Sequence, residues 1–390
     1  MEGDFIKIRE WLLPLSWLYG AGVAIRNQMF EMGILKSRSF KVPVISVGNI
    51  TVGGSGKTPH VEYLVRLLSD KVKVAVLSRG YKRKTRGYVL ADKDTTMRDI
   101  GDEPYQMATK FRDIYMAVDA NRCRGIERLT TDETTNDTDV VLLDDAYQHR
   151  YVKPGINILL VDYHRLIIYD KLLPAGRLRE PKQEKNRADI VIVTKCPRDL
   201  KPMEYRVLTK ALNLYAYQKL FFTTLRYKPL KPIYQGEEKP LESLTPDHHV
   251  LLLTGIASPR QMMIDLEPYT KNIHPLVFPD HHQFRKKDIR RINETFAAMP
   301  SPKLIITTEK DNARLFGNQG LDDAVRHNIY MLPVEVEFML DQQQEFNEKI
   351  IGYVRKNSRN SILAKAKDEH KSDNRNHSGN GSRTISFRNN

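Results

Sequence analysis

The stretch Thr51-Val52-Gly53-Gly54-Ser55-Gly56-Lys57-Thr58 constrains this chain more than any other, because it lies between the β-branched run Val42 to Val47 and a helical pattern from Pro59 to Leu68. Strand, glycine-rich loop and helix in that order make a P-loop, a phosphate-cradling unit. The backbone N–H groups and the positive helix N-terminus suit phosphate oxygens, with Lys57 on the β and γ groups and the Thr58 hydroxyl on Mg²⁺. Thr51 stands where the first glycine of the usual pattern sits. Gly53, Gly54 and Gly56 still give the turn its freedom.

A chain of 390 residues has room for about two domains with full cores, and needs no disulfide or metal staple to fold. Its two cysteines, Cys123 and Cys196, make neither a disulfide framework nor a zinc site, which favours a reducing compartment. The net charge of +14 points to an acidic partner: nucleic acid, anionic lipid or a phosphorylated substrate. Part of it lies in residues 357–390, a basic segment rich in Ser, Asn and Gly that reads as a disordered tail.

Near the other end, Trp11 to Ile25 is almost entirely apolar and is followed by Arg26, Lys36, Arg38 and Lys41. The run is short of the ~20 residues that span a bilayer. Glu2, Asp4 and Glu10 also spoil the positive start of a secretory signal. A buried core helix and an interfacial one remain. Trp11, Trp17 and Tyr19 favour the interfacial reading, since such rings suit a water–lipid boundary.

From Val42 to about Leu214, short apolar runs alternate with helical patterns, the signature of a parallel sheet covered on both faces. The expected organisation is an N-terminal interfacial helix (1–35), a P-loop NTPase-like α/β domain with a wound parallel sheet (36–219), an interdomain connection marked by Pro229, Pro232 and Gly236 (220–239), and a smaller α/β domain (240–356).

Three further motifs carry chemistry. Val140 to Leu143 is an apolar strand ending in Asp144-Asp145, and in a parallel sheet its end shares an edge with the phosphate loop, within reach of Mg²⁺. Gly101-Asp102-Glu103-Pro104 opens a helix. Its acids read either as ordinary capping or as a general base beside a phosphoryl group. The third, Ser78 to Gly87, concentrates cations and Tyr81 at the ligand-binding edge, as an anionic substrate requires, although solvated charge runs are common. Asp280-His281-His282 is a poor zinc motif, because adjacent side chains diverge.

Together these segments resemble the tetraacyldisaccharide 4′-kinases of the lipid A pathway in Gram-negative bacteria. The matching residues are Leu15 to Gly20, Val47 to Thr51, Ser78 to Tyr81, Gly101 to Pro104, Asp144-Asp145 with Gln148-His149, Leu173 to Gly176 with Arg179-Glu180, Asp280-His281 and Thr308 to Asp311. The resemblance implies transfer of the ATP γ-phosphate to the 4′-hydroxyl of a tetraacylated disaccharide 1-phosphate at the cytoplasmic face of the inner membrane. It implies Asp102 as base with His281 as helper, Lys57 on the γ-phosphoryl group, and Mg²⁺ held by Thr58 with Asp144, Asp145 or Glu103. Residues 51–58 would bind ATP, and Asn49, Arg79, Tyr81, Gln148, His149 and Arg179 the lipid. Ala146-Tyr147 and Arg177 depart from the family pattern at positions that carry no chemistry.

Two other functions compete. A regulatory or transport ATPase with a related loop normally adds a lysine where Val52 stands. A nucleic-acid-binding ATPase would explain the charge, yet no aromatic platform or recognition helix accompanies it.

Overall fold

The computed structural model describes residues 8–256, 259–280, 282–315 and 320–358. In chain order the first strands are β1 (Val44–Gly48), β2 (Val74–Ser78), β3 (Val89–Leu90), β4 (Tyr115–Val118), β5 (Val140–Asp144), β6 (Ile156–Asp162), β7 (Ile190–Thr194) and β8 (Lys219–Tyr227). They are followed by β9 (Lys231–Pro232), β10 (His249–Thr254), β11 (Ile273–Val277), β12 (Lys303–Thr308), β13 (Ile329–Leu332) and β14 (Val334–Phe338). Two sheets result. The larger runs β14-β8-β7-β6-β1-β5-β2-β4-β3 and is parallel from β8 to β4, with antiparallel strands at both edges. The smaller runs β11-β10-β12-β13-β9, with only β9 antiparallel.

Helices α1 (Leu13–Glu31), α2 (Lys57–Ser69), α3 (Met97–Ile100), α4 (Asp102–Lys110), α5 (Arg122–Thr131) and α6 (Pro202–Leu212) belong with the large sheet. The small sheet carries α7 (Pro259–Leu266), α8 (Lys286–Ala297), α9 (Glu309–Leu315) and α10 (Asp323–Asn328). The strands β1, β2, β5 and β7 are buried at every position, which explains their largely apolar sequences.

The expected boundary between the two units shifts in two places. Residues 219–227 are a strand of the large sheet rather than a connection, so the first crossing between the domains is made by the few residues before β9. The chain also comes back: β14 pairs antiparallel with β8, and a final helix, α11 (residues 343–358), packs on the large domain. Phe338, Phe346, Ile350 and Val354 join Val61, Leu64, Ile45 and Phe221 in one core. Residues 334–358 were expected in the smaller domain; the apolar face of a helix declares that it needs a core, not which core.

Helix α1 is turned outward. Trp11 and Trp17 are 77% and 72% exposed, and Leu15, Leu18 and Ile25 are exposed as well. Its inner side is held mostly by polar contacts: the Ser16 hydroxyl donates to the Leu172 carbonyl at 3.0 Å and accepts from the Ala175 N–H at 2.9 Å, and Arg26 donates to the Gln148 carbonyl at 2.9 Å. Among the described residues no helix is long and apolar enough to cross a membrane.

Candidate active site

The phosphate loop leaves β1 at Gly48 and is braced on all sides. Asn49 is fully buried, and its amide donates to the Thr51 and Ser55 hydroxyls at 3.2 and 2.8 Å. Asn49 was expected to touch substrate; its side chain is instead spent on shaping the loop. The Val52 N–H donates to the Arg177 carbonyl at 2.8 Å and the Arg179 N–H to the Ile50 carbonyl at 2.7 Å, so the segment 173–179 holds the loop's entry. Thr51, the departure from the usual glycine, bridges to Leu178 in that contact. On the other flank the Thr194 hydroxyl donates to the Ser55 carbonyl at 3.0 Å, and Lys195 reaches the Gly54 carbonyl. Gly56, at φ +83°, turns the chain into α2, which begins at Lys57 and carries the buried Thr58 in its first turn.

His60, one turn into α2, is buried. Its Nδ1 lies 2.7 Å from the Gly56 carbonyl and its Nε2 3.1 Å from the Thr223 hydroxyl. A carbonyl only accepts, so Nδ1 carries the proton and Nε2 accepts from Thr223. Burial lowers its pKa to about 4, and the ring is a neutral strut between the loop and β8.

The carboxylates come from β5, beside β1. Lys57 Nζ lies 3.6 Å from Asp145 Oδ1 and Arg179 3.5 Å from Asp145 Oδ2. Burial alone would raise Asp145, but Lys57 and Arg179 outweigh it and hold the carboxyl below its ordinary pKa. Asp145 also occupies a left-handed conformation, φ +48°, a strain that non-glycine residues bear mostly at functional positions. Asp144 differs. It is buried, and that burial together with the charges of Glu103 and Asp145 pushes its pKa up to about 7. The Ser78 hydroxyl donates to its Oδ2 at 3.2 Å, while its Oδ1 has no hydrogen-bond partner.

Crowded carboxylates with an unsatisfied buried oxygen fit a hard divalent cation. Among the described residues no three acidic or histidine side chains converge into a ready-made cage. Mg²⁺ is commonly held by one or two carboxylates plus substrate phosphates and water. The residues present therefore fit the ion.

Across the cleft, α9 of the small domain lies against α4 of the large one. Their charges pair along the interface: Lys110 bridges Glu62 and Glu309, Lys310 pairs with Glu103, and Arg314 pairs with Asp102. Arg314 is wholly enclosed. It also contacts Asp311 at 3.1 Å and the Gly255 carbonyl at 3.2 Å, while Asp311 accepts from the Gly255 N–H and the Thr308 hydroxyl. Burial pulls the pKa of Lys310 down, but the neighbouring acids, Glu103 first, outweigh it and raise it. Ahead of α4, Gly101 sits at φ +92°, where a Cβ would lie 2.7 Å from the Tyr81 carbonyl; no other residue fits. That contact ties the Gly-Asp-Glu-Pro turn to the cationic loop.

The remaining expected residues spread around this cleft. Arg79 and Tyr81 are exposed, Tyr81 by 60%. The Gln148 side chain donates to the Asn49 carbonyl. His149 is driven down to about pKa 4 by burial and by Arg122, Arg26 and Arg79. His281 lies outside the described residues, as does the tail from 359 onward. Sequence reading missed Arg122, Lys310 as a partner of Glu103, and Arg314. Arg122 is buried close to the Asp144-Asp145 pair; burial pushes its pKa down to about 10 while those acids oppose the shift. Nothing in its local sequence sets it apart from other helix arginines.

A wound parallel sheet whose phosphate loop faces a paired-aspartate strand end, with a second domain closing on a carboxylate turn, defines a P-loop phosphotransferase. The chain belongs to the tetraacyldisaccharide-1-P 4′-kinase family, whose model matches residues 8–355. It is 58% identical to the tetraacyldisaccharide 4′-kinase of Phocaeicola vulgatus, over 93% of this chain and 99% of the relative. With that of Bacteroides fragilis it shares 55% identity over 95% and 100%, and with that of Porphyromonas gingivalis 42% over 90% and 99%. A crystal structure of LpxK from Aquifex aeolicus in complex with ATP is similar at TM-score 0.68 and 30% identity, covering 89% of this chain and 99% of that one.

Proposed function

We propose that this kinase transfers the γ-phosphoryl group of ATP to the 4′-hydroxyl of a tetraacylated glucosamine disaccharide 1-phosphate, giving lipid IVA at the cytoplasmic face of the inner membrane. The observation that carries this reading is that the charge of Glu103, next to Asp102, reaches Asp144 at the end of β5 and helps raise its pKa. That supports a donor and a base sharing one cleft. Asp102 takes the proton of the 4′-hydroxyl, whose oxygen forms the new bond to the γ-phosphorus as the bond to the β-phosphate oxygen breaks and ADP leaves. Arg314 pairs with the Asp102 carboxylate and orients it. Lys57 offsets charge on the transferred group. Thr58, with Asp144 or Asp145 and with Glu103, would hold Mg²⁺, which would supply further charge neutralisation on the phosphates.

The outward face of α1 supports attachment to a membrane surface. Each large apolar side chain moved from water into lipid contributes about 1.5–3 kcal/mol, and five such residues lie exposed on this helix and the turn before it. The test is labelled ATP with a tetraacyldisaccharide 1-phosphate, with and without Mg²⁺. Label should appear at the 4′ position only with the ion. ATP hydrolysis at full rate without acceptor would instead indicate a regulatory ATPase.

A further inference from the structure

We propose that a single buried water occupies the cavity under the segment that follows β5 and ties the His149 ring to the central strands, with Ser46 of β1 and Asn157 of β6 as its other partners. It does not depend on the reaction proposed above.

Polar side chains sit badly in the middle of a parallel sheet covered on both faces, so Ser46 and Asn157 call for partners. Ser46 is the central residue of β1 and Asn157 the second of β6, and the two are paired in register, with Leu143 of β5 on the other side of Ser46. Residues paired in this way point to one face of the sheet. Both are buried, at 2% and 7% exposure. The Asn157 amide nitrogen donates to the Arg187 carbonyl at 3.2 Å, which leaves its oxygen to be satisfied.

The residues after β5 close over this spot. Tyr147, His149 and Arg150 line, with Ser46 and Asn157, a cavity of about 20 Å³. One water needs about 10–15 Å³ and two to four polar partners. Three partners are at hand: Ser46 Oγ, Asn157 Oδ1 and His149 Nε2 are each buried with no hydrogen-bond partner among the described residues. Leaving all three dry would forfeit their hydration for nothing in return. A water can donate to Asn157 Oδ1, while the Ser46 hydroxyl and the imidazole nitrogen can each donate or accept, so one molecule satisfies the set. The arginines of the wall do not call for an anion. Arg187 is paired with Glu180 at 2.6 Å and with Glu184, and Arg150 with Glu31 and, at 3.9 Å, with Glu184. On either side of His149 the same segment receives α1: Arg26 donates to the Gln148 carbonyl, and Arg150 donates to the Asn27 carbonyl at 3.3 Å. A water on His149 Nε2 therefore fastens the segment that carries α1 to β1 and β6, and holds the ring in one orientation.

The competing account is a dry void. Ser46→Ala and Ser46→Val separate the two, because the first leaves room for the water and the second fills its place. If the water is there, Ser46→Val expels it and strands Asn157 Oδ1 and His149 Nε2, so this variant should melt several degrees below Ser46→Ala. A dry void predicts the reverse order, since filling it restores packing. A crystal structure of the wild-type chain should show one water within hydrogen-bond distance of all three atoms. The imidazole ¹⁵N resonances of His149 should move in Ser46→Val and far less in Ser46→Ala. An empty cavity in the electron density, Ser46→Val melting at or above Ser46→Ala, or His149 resonances that respond alike to both variants would each overturn the proposal.

Discussion

The two sides of the cleft are built differently. On the donor side every contact is made within one domain, by residues at adjacent strand ends: Lys57, Asp145 and Arg179 meet around a loop pinned by the segment 173–179. On the acceptor side the same chemistry is split between domains, because Asp102 and Glu103 begin α4 while the cations that hold them, Arg314 and Lys310, lie on α9. The donor side is preformed in a single core. The ion pairs that hold Asp102 and Glu103 on the acceptor side form only when the two domains are together.

Removing Lys57 should have the largest effect. Lys57→Ala deletes a charge aimed at the transferred group, and loss of one such donor costs about 10²–10³ in rate; labelled transfer at saturating ATP measures it. It also releases Asp145, so ATP affinity should fall too. Next comes Arg314→Gln, which breaks a buried ion pair and should destabilise the protein by about 3–5 kcal/mol, read by denaturant unfolding. Its kcat should drop with little change in ATP Kd, and Arg314→Lys should recover part of it. A variant that loses ATP binding and turnover together would erase the contrast between the sides.

A milder substitution, Lys310→Met, frees Glu103 without burying an unpaired cation. It should lower kcat less than Arg314→Gln, and Mg²⁺ titration of the rate should shift, because Lys310 pairs with one of the proposed metal ligands. The smallest effect on chemistry is expected from Trp17→Glu with Leu18→Glu. Sedimentation with anionic vesicles should fall by more than tenfold, while turnover of detergent-dispersed acceptor stays within about twofold, since α1 lies away from the reacting groups.

The difference between the sides also decided what was legible in the sequence. Gly53 to Thr58, Asp144-Asp145 and Asp102 stand out in the sequence because each is a contiguous motif at a strand end or helix start, and the structure has those elements there. Arg314 does not: its meaning comes from a contact 212 positions away in sequence, with Asp102. Asn49 was expected among the lipid contacts on the resemblance alone, yet its buried amide donates to Thr51 and Ser55 and braces the loop. The prolines and glycine of 229–236 mark a change of pattern, but the expected connection took in β8, since Lys219 to Tyr227 is a strand with an irregular polar pattern. The return of β14 and α11 to the first core has no local signature at all.

The central claim is that Asp102 acts in proton transfer and not in holding the nucleotide. Single-turnover transfer by Asp102→Asn, with ATP Kd measured on the same preparation, tests it most directly. The account predicts a loss of at least about 10²-fold in the transfer step with Kd within threefold of wild type. Transfer near the wild-type rate, or a loss accounted for by weaker ATP binding, would contradict it.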